Sequence, residues 1–308
     1  MTAAIFVLGE ALMDCVAQPD GALRPLIGGS PFNMARAAAL RGARVEFLNP
    51  FSTDCFGMQM VEQLRRDGVA QTLPASPLPT SLAVVQVTNG QPSYGFYREG
   101  IADRDYSVDQ ILAALKRVIP GVLHTGSLML VPPEHTKVLS VLQGAKALGW
   151  TLSVDVNLRP KLAANLAEYV AAVKEVAALA DWLKASDEDL ELLGFANPSR
   201  DNAPEIAQHF AAQGARRIAL TFGAKGAWLQ VDGQSAEQDV PHVVVVDTVG
   251  AGDTFWGNCV ADWTLQHEGA AHRVERTLRN ATLAAAINCT REGCQPPAYS
   301  ALDLLLSS

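Results

Sequence analysis

The segment DTVGAGDTFW at residues 247–256 places three small residues, Gly250, Ala251 and Gly252, between two aspartates. An apolar, helix-like run follows directly after it. Small residues let the backbone come close to a bulky partner, and the first turn of a helix offers unpaired N–H groups at its positive dipole end. The segment therefore predicts an anion-binding cradle at the start of a helix that begins near Thr254.

The position of Asp253 in this segment suggests a chemical role. The N–H groups of residues 250–253 suit the charge on a phosphoryl group during transfer, and Asp253 beside that group would accept a hydroxyl proton. A second interpretation makes Asp253 a helix N-cap and the glycines a tight turn. The segment lacks the G-K-[ST] ending of a Walker loop, and VLGEALMD (7–14) lacks the G-x-G-x-x-G of a dinucleotide site.

Elsewhere in the chain, strand-like and helix-like segments alternate. Short apolar runs such as AIFVLG near the N-terminus alternate with segments of helical periodicity such as PFNMARAAALRG (31–42). This alternation predicts a parallel sheet covered by helices on both faces, with ligands bound beyond the carboxyl ends of the strands. No linker or repeat divides the chain, so residues 1–308 are expected to form one domain.

Residues 80–106 depart from this alternation. They read as two strands around an Asn89-Gly90 turn with no helix between them, which predicts an antiparallel hairpin outside the main sheet. Such a hairpin would serve as a lid. Its first strand is apolar on nearly both faces, so we expect the lids of two subunits to pack together in a homodimer. The residues concerned are Leu82, Val84 and Gln86 on one face and Ala83, Val85 and Val87 on the other.

Composition excludes several classes of partner. The 308 residues are 49% apolar and 18% charged, as in globular proteins with a large core, and the net charge of −8 disfavours nucleic acid and acidic membranes. Five cysteines without C-x-x-C spacing indicate reduced thiols and a cytoplasmic location. We expect no signal peptide and no membrane span, because Glu10 interrupts the N-terminal apolar run and no other run is long enough.

Four motifs together resemble those of one family. DTVGAGDTF (247–255), GGSPFN (28–33), LGEALMD (8–14) and TFGAKG (221–226) are similar, in order and spacing, to motifs of the ribokinase-like, or PfkB, carbohydrate kinases. The likeness extends over essentially the whole chain. It implies a three-layer α/β/α fold with a mostly parallel central sheet and a small lid of β-strands. The lid strands would come from about residues 12–28 and 80–106.

The resemblance also implies a reaction, the transfer of the γ-phosphoryl group of ATP to a sugar hydroxyl. Asp253 would be the general base, and the backbone of Gly250, Ala251 and Gly252 would form the anion hole. A carboxylate at a helix N-terminus is a weak base, because the dipole stabilises its charged form. A weak base suffices here, since the hydroxyl loses its proton late in a loose transition state and the protein mainly positions the groups.

Sugar contacts are carried over from the family motifs to Asp14, Gly28, Gly29 and Asn33. A carboxylate can accept two hydroxyl protons, and an amide both donates and accepts, which suits a polyol. A structural interpretation stands beside this one, in which Ser30 caps a helix and Pro31 occupies its first turn. Both can hold.

Further stretches, FYREGIAD (96–103) and VDVNLRP (154–160), resemble the fructokinase branch of the family. There a lid arginine binds the sugar, and Arg98 is the matching residue, with Asp103 and Tyr97 as neighbours. The alternative is that Arg98 is a solvated charge on an edge strand. Relatives that phosphorylate 2-keto-3-deoxygluconate are the main rivals, since there an arginine would pair with the substrate carboxylate. Other PfkB sugar or nucleoside kinases, and a non-catalytic sugar-binding regulator, complete the alternatives; an intact Asp253 argues against the last.

For the cofactors, the resemblance implies ATP, Mg²⁺ and K⁺. Asn157 would contact the sugar, and Asp247 resembles the aspartate of a monovalent-cation site that backbone carbonyls near 290–294 would complete. Where relatives carry N-x-x-E, this chain has KASDEDLELLG (184–194), with Ser186 in place of the Asn. Asp189 would order water on Mg²⁺, or it simply belongs to a helix start. The nucleotide contacts implied are Arg159, for which a surface salt bridge is the alternative, Ser186, Thr221, Gly223, Gly226 and Asn280.

Overall fold

The fold is seen in a computed structural model that describes residues 3–18, 20–88, 91–265 and 274–306. The strands are β1 (Ile5–Val7), β2 (Leu12–Ala17), β3 (Leu23–Gly28), β4 (Val45–Phe47), β5 (Val69–Gln71), β6 (Ser81–Thr88), β7 (Gln91–Tyr97), β8 (Val122–Gly126), β9 (Thr151–Asp155), β10 (Trp182–Ser186), β11 (Arg217–Thr221), β12 (Ala227–Val231) and β13 (Gln234–Gln238). The helices are α1 (Ser30–Leu40), α2 (Cys55–Asp67), α3 (Val108–Leu115), α4 (Glu134–Ala147), α5 (Leu166–Ala177), α6 (Asp187–Leu193), α7 (Ala203–Ala212), α8 (Ala251–Leu265), α9 (Val274–Cys289) and α10 (Tyr299–Leu306).

The larger sheet has the strand order β13-β12-β11-β10-β9-β8-β1-β4-β5. Its strands from β11 to β5 pair in parallel, whereas β12 and β13 add an antiparallel edge. The parallel strands are joined by helices, as crossover connections require. The predicted α/β class with a mostly parallel central sheet is confirmed.

Helices cover both faces of this sheet because its strands are apolar on both sides. In β1, the side chains of Ile5 and Val7 enter the core beneath α1 and α8, whereas Phe6 enters the opposite core with α4 and α5. Successive strand residues point to opposite faces, so one short apolar strand contributes to two cores. This gives the predicted three layers, helix, sheet and helix.

One glycine lets α8 lie close against α1. A Cβ atom at Gly257 would lie 2.7 Å from the carbonyl oxygen of Met34 and 2.8 Å from the Cβ of Ala37. Both distances are shorter than carbon atoms normally allow, so the helices can pack this closely only with glycine at the crossing. The approach brings the N-terminal turns of α1 and α8 side by side.

A second, smaller sheet has the order β3-β2-β6-β7 and is called the small sheet below. Its strands lie in the two segments predicted to form a lid, and β6 pairs antiparallel with β7 as the hairpin pattern indicates. The Asn89-Gly90 turn lies outside the described residues. Leu82 and Val84 are half-buried against the core and Ala83 is buried, so these three apolar side chains are at least partly covered within the chain. The side chains of Val85, Gln86 and Val87 are not among those described.

One predicted boundary is wrong. We expect a helix start near Thr254, yet α8 begins at Ala251, which places Gly252 and Asp253 inside its first turn. The apolar, helix-favouring run after Asp253 extends backwards because Gly250, with φ of 74°, makes the turn that precedes the helix. In the described part of the chain, no helix has the length and apolar character needed to cross a membrane.

Candidate active site

A cavity of about 660 Å³ opens beyond the carboxyl ends of the parallel strands, where ligands of such sheets are expected. Its wall combines segments that follow β1, β9 and β10 with the first turns of α1 and α8. The small sheet contributes Leu12 and Phe96 to the same wall. Of the predicted site residues, the cavity brings together Asp14, Gly29, Asn33, Asn157, Arg159, Ser186, Asp189, Gly250, Ala251, Gly252 and Asp253.

The segment predicted to form an anion cradle leads into the first turn of α8. In that turn Ala251 N donates to the Thr248 carbonyl oxygen at 3.2 Å and Thr254 N donates to the Gly250 carbonyl oxygen at 2.8 Å. Residues 248–253 line the cavity. Gly250 has φ of 74°, and a Cβ atom there would lie 2.6 Å from the Cβ of Cys294. Both the backbone conformation and the neighbouring side chain therefore require glycine at this position.

Asp253 is 8% exposed, and both of its carboxylate oxygens accept hydrogen bonds from α1. Ser30 Oγ donates to Oδ1 at 2.7 Å, and Asn33 Nδ2 donates to Oδ2 at 2.9 Å. Burial raises the pKa of Asp253, while these two hydrogen bonds and the charges of Lys184 and Arg159 oppose that rise. Asp253 is the third residue of α8, so the interpretation of this residue as an N-cap is wrong.

A buried ion pair lies beside the cradle. Lys184 Nζ contacts both carboxylate oxygens of Asp155, at 2.9 and 3.0 Å, and neither side chain is more than 4% exposed. A Cβ atom at Gly252 would lie 3.2 Å from Lys184 Nζ, so the cation sits next to the cradle backbone. Burial disfavours the charged form of Lys184, but the nearby carboxylates outweigh it and raise the pKa of Lys184.

Neither member of this pair is among the residues predicted from sequence. The sequence does contain a feature from which the pair could be predicted. Each of two apolar strands, TLSVD (151–155) and WLKAS (182–186), carries one charged residue. Buried charges of opposite sign on neighbouring parallel strands are expected to pair. Lys184 and Asp155 also face each other in the strand register.

The inner end of the cavity carries two acids. Burial raises the pKa of Asp14 to about 6, with Arg159 opposing and Asp253 adding to the rise. Burial likewise raises the pKa of Glu10 to about 7, with the charge of Arg98 as the largest opposing influence. Glu10 was not predicted as a site residue, although its position inside an apolar run is the signal that marks it. Gly28 does not line the cavity, but a Cβ atom there would collide with the Asp14 carboxylate.

Arg98 and Asp103 form a buried ion pair at 3.1 Å, and Arg98 Nη1 also donates to Ser81 Oγ at 2.9 Å. Arg98 is 6% exposed, so the alternative of a solvated edge-strand charge is wrong. Neither residue is among those that line the cavity. Tyr97 is 64% exposed and does not line the cavity. A direct sugar contact by Arg98 or Asp103 stays a prediction.

Three of the predicted nucleotide residues, Thr221, Gly223 and Gly226, lie at the end of β11 outside the cavity wall, and Asn280 lies buried in α9. Thr221 pairs with Ser186 in the strand register, which places it at the same edge of the sheet. The packing of the backbone also requires glycine at position 226, since a Cβ atom there would collide with the carbonyl oxygen of Gln238. Their contact with a nucleotide stays a prediction.

Asp189 takes part in the helix-start arrangement and also lines the cavity, and its contact with water on Mg²⁺ stays a prediction. Its Oδ2 accepts from Ser186 N and Oγ, both at 2.8 Å, and its Oδ1 accepts from Leu158 N at 2.7 Å. Ser186 Oγ in turn accepts from Asp189 N, which completes a capping box. The neighbouring Glu188 is exposed and lines the cavity, and it was not predicted.

Asp247 ties two backbone segments together. Its Oδ1 accepts from Val249 N at 3.0 Å and its Oδ2 accepts from Gly293 N at 2.8 Å. The aspartate therefore holds the loop at 290–294 against the segment that leads into α8. This places Asp247 beside the carbonyl groups named for the cation site, and the cation itself stays a prediction.

The chain is similar to known carbohydrate kinases over nearly its whole length. A sequence profile described as the pfkB family of carbohydrate kinases matches residues 2–301. A fructokinase of Rhizobium leguminosarum bv. trifolii is 31% identical over 291 residues, which cover 90% of this chain and 86% of that protein. A fructokinase of Xylella fastidiosa, solved with bound ATP, superposes with a TM-score of 0.81 at 26% identity over 99% of both chains. A double mutant of a Vibrio cholerae O395 fructokinase, solved with fructose, ADP and a potassium ion, shares the fold at 24% identity, with a TM-score of 0.83 over 99% of both chains.

Proposed function

Because this chain belongs to the pfkB family of carbohydrate kinases, we propose that it transfers the γ-phosphoryl group of ATP to D-fructose and forms D-fructose 6-phosphate. The observation that carries the proposal is the position of Asp253. Its carboxylate lies in the cavity wall, is held by two hydrogen bonds from α1, and follows directly after the cradle glycines. A hydroxyl group bound there would meet a base and an anion site together.

Each part of the site has a task in this reaction. Asp253 accepts the proton of the attacking sugar hydroxyl. The N–H groups at the start of α8 and the ammonium group of Lys184 stabilise the charge on the equatorial oxygens of the phosphoryl group. Asp155 takes up two of the three N–H bonds of Lys184, which leaves one directed to a ligand. Positioning and charge stabilisation are the main demands of a loose transition state.

The sugar is proposed to lie between Asp14 and Asp253, with Asn33 in contact with both sugar and base. Asn33 Oδ1 is buried and has no hydrogen-bond partner among the described residues, so a sugar hydroxyl would satisfy it. Two carboxylates at this end favour a neutral polyol over an anion. The fructokinase relatives support the same choice.

A 2-keto-3-deoxygluconate kinase is the second candidate, and Arg159 is the residue that favours it. Arg159 lines the cavity near enough to lower the pKa of both Asp14 and Asp253. It would pair with a substrate carboxylate, which Arg98 cannot readily do while it is bound to Asp103. For fructose as substrate, Arg159 would instead contact the phosphates of ATP.

ATP and Mg²⁺ are proposed as cofactor and metal ion, with K⁺ as an activator. Mg²⁺ retains several waters and binds the substrate phosphates, so it needs few protein ligands. Among the described residues, no three or more acidic, histidine or cysteine side chains are placed to hold a metal ion together, and the exposed carboxylate of Glu188 fits a contact through water. When bound, the metal would neutralise charge on the phosphates.

The small sheet is proposed to close over the sugar, because Leu12 and Phe96 already reach the cavity from it. A homodimer formed through the small sheet and a cytoplasmic location are also proposals. The coverage of Leu82, Ala83 and Val84 within the chain reduces the apolar surface that would drive dimerisation. Light scattering at micromolar concentration tests the dimer, and a monodisperse monomer would contradict it.

The function is tested by measuring ADP release with MgATP against fructose, 2-keto-3-deoxygluconate, ribose, glucose and adenosine. Asp253→Asn is the matched control, since it keeps the size of the side chain and removes the base. Turnover with fructose that the variant lacks supports the proposal, and a preference for the keto-acid moves the assignment to the second candidate. Sugar binding by calorimetry without turnover on any substrate would instead favour a non-catalytic sugar-binding protein.

A further inference from the structure

Ser30 makes two hydrogen bonds that join α1 to two buried acids. Helix α1 starts at Ser30 after Gly29, and Gly29 supplies no side-chain cap. Instead, Ser30 N donates to Glu10 Oε1 at 3.2 Å, and Ser30 Oγ donates to Asp253 Oδ1 at 2.7 Å. All three side chains line the cavity and are at most 8% exposed.

We infer that Ser30 is a positioning residue for the phosphoryl transfer, whose hydroxyl holds Asp253 in its charged form and fixes the direction of its carboxylate. The inference rests on the proposed role of Asp253 as the base. A hydroxyl donor at 2.7 Å from a carboxylate oxygen has the length of a charge-assisted hydrogen bond. Such a bond is stronger to the ionised acid than to the neutral one.

The geometry separates the task of Ser30 from that of Asn33. Both residues lie on one face of α1, three positions apart, and each binds a different oxygen of Asp253. Asn33 keeps its Oδ1 for a ligand, whereas the single proton of the Ser30 hydroxyl goes to Asp253. Removing the Ser30 hydroxyl therefore changes the base while leaving the Asn33 amide in place.

The charge on Asp253 depends on several neighbours. Lys184 from β10 and Arg159 from the segment after β9 favour the ionised form, and burial disfavours it. Asp14 from β2, Asp155 from β9 and the thiol of Cys294 also lie near enough to interact with this carboxylate. Because burial raises the pKa of Asp253 and the Ser30 hydrogen bond lowers it, loss of the hydroxyl raises that pKa further. As the pH falls, Asp253 in the variant would then be protonated, and so lose its function as a base, at a higher pH than in the wild-type chain.

The test compares the wild-type chain with Ser30→Ala by two measurements. The first follows the titration of the Asp253 carboxyl carbon by NMR on ¹³C-labelled protein, with the signal assigned from Asp253→Asn. The second follows kcat and KM for fructose against pH. We expect the Ser30→Ala titration to move to higher pH, and kcat to fall about tenfold on the acidic side with much less change on the alkaline side. KM for ATP should stay near the wild-type value.

Two further variants provide the controls. Ser30→Thr keeps a hydroxyl at the same position and should restore the wild-type titration. Ser140→Ala removes an exposed hydroxyl of α4 that bonds only to the Thr136 carbonyl group, and it should change neither measurement. Unchanged titration and pH profile in Ser30→Ala would overturn the inference, as would a loss of kcat that is equal at every pH. A shifted titration in a protein without turnover would show that Ser30 controls the charge of Asp253, and it would contradict the proposed function and, with it, a role of Ser30 in phosphoryl transfer.

Discussion

Asn33 Nδ2 donates a hydrogen bond to Asp253 Oδ2 at 2.9 Å, across 220 positions of sequence. The bond joins the GGSPFN segment to the DTVGAGDTF segment and brings a sugar-binding candidate into contact with the candidate base. The close crossing of α1 and α8 makes it possible. The two motifs therefore meet in one place, and loss of the Asn33 amide should affect both sugar binding and the candidate base.

Replacing the base should abolish catalysis with little effect on binding. For Asp253→Asn we expect kcat to fall by a factor of about 10² to 10⁴, which is the range that general bases contribute. The amide keeps a partner for Ser30 and Asn33, so sugar affinity measured by calorimetry should stay within about fivefold. A variant that retains a tenth or more of wild-type kcat would contradict the assignment of Asp253 as the base.

Replacing only one member of the Lys184–Asp155 ion pair should strongly lower the stability of the protein. For Lys184→Met we expect the free energy of unfolding in urea to fall by about 3–5 kcal/mol, because Asp155 is left as an unpaired buried charge. The double variant Lys184→Met with Asp155→Leu should recover much of that stability but not the activity. The matched control is Asp155→Leu alone, which leaves the lysine unpaired. Activity in the double variant near the wild-type level would exclude Lys184 from phosphate binding.

Glu10 should make the protein less stable as the pH rises. Its pKa is about 7 in the folded chain and near 4.5 when solvated, so the folded state binds the extra proton. The unfolding free energy should therefore decrease through that interval by about 3 kcal/mol, and the loss should be complete above about pH 8. Glu10→Gln should remove the contribution of Glu10 while keeping an acceptor for Ser30 N. A decrease at lower pH should remain in the variant, because burial also raises the pKa of Asp14 to about 6. Glu175→Gln, at an exposed position of α5, is the control. Equal pH profiles for wild type and Glu10→Gln would contradict the burial of a titrating acid.

Widening the crossing of α1 and α8 should disturb the site from a distance. For Gly257→Ala we expect a loss of about 1–3 kcal/mol in stability, since the new methyl group meets the Met34 backbone. The kcat should fall as well, because Ser30 and Asn33 move away from Asp253. Gly95→Ala in β7 is the comparison, as a Cβ atom there meets only an ordinary contact at 3.8 Å. Stability and kcat equal to those of wild type would show that the two helices need no close contact.

The alternative interpretations left open by the sequence were separated by contacts, not by local pattern. For Asp253, a base and an N-cap predict the same residue types, and only the start of α8 at Ala251 distinguishes them. For Asp189, the capping box and the metal role share one pattern; the hydrogen bonds to Ser186 and Leu158 show the capping box, and the metal role stays a prediction. From the sequence, Arg98 can be interpreted as an exposed charge on a lid strand. In the structure it is buried and bonded to Asp103 and Ser81. Pairing of this kind depends on which residues meet in space.

The sequence by itself determined the alternation of strands and helices, the parallel sheet and the hairpin of β6 and β7, and it predicted an anion cradle at the start of α8. These follow from apolar periodicity and from glycine conformations, which act over a few neighbouring residues. The tertiary structure alone decided which donors hold Asp253, that Lys184 pairs with Asp155 beside the cradle, and that Glu10 is buried against Ser30. Burial and hydrogen-bond partners are set by elements that are distant in sequence, so no local pattern contains them.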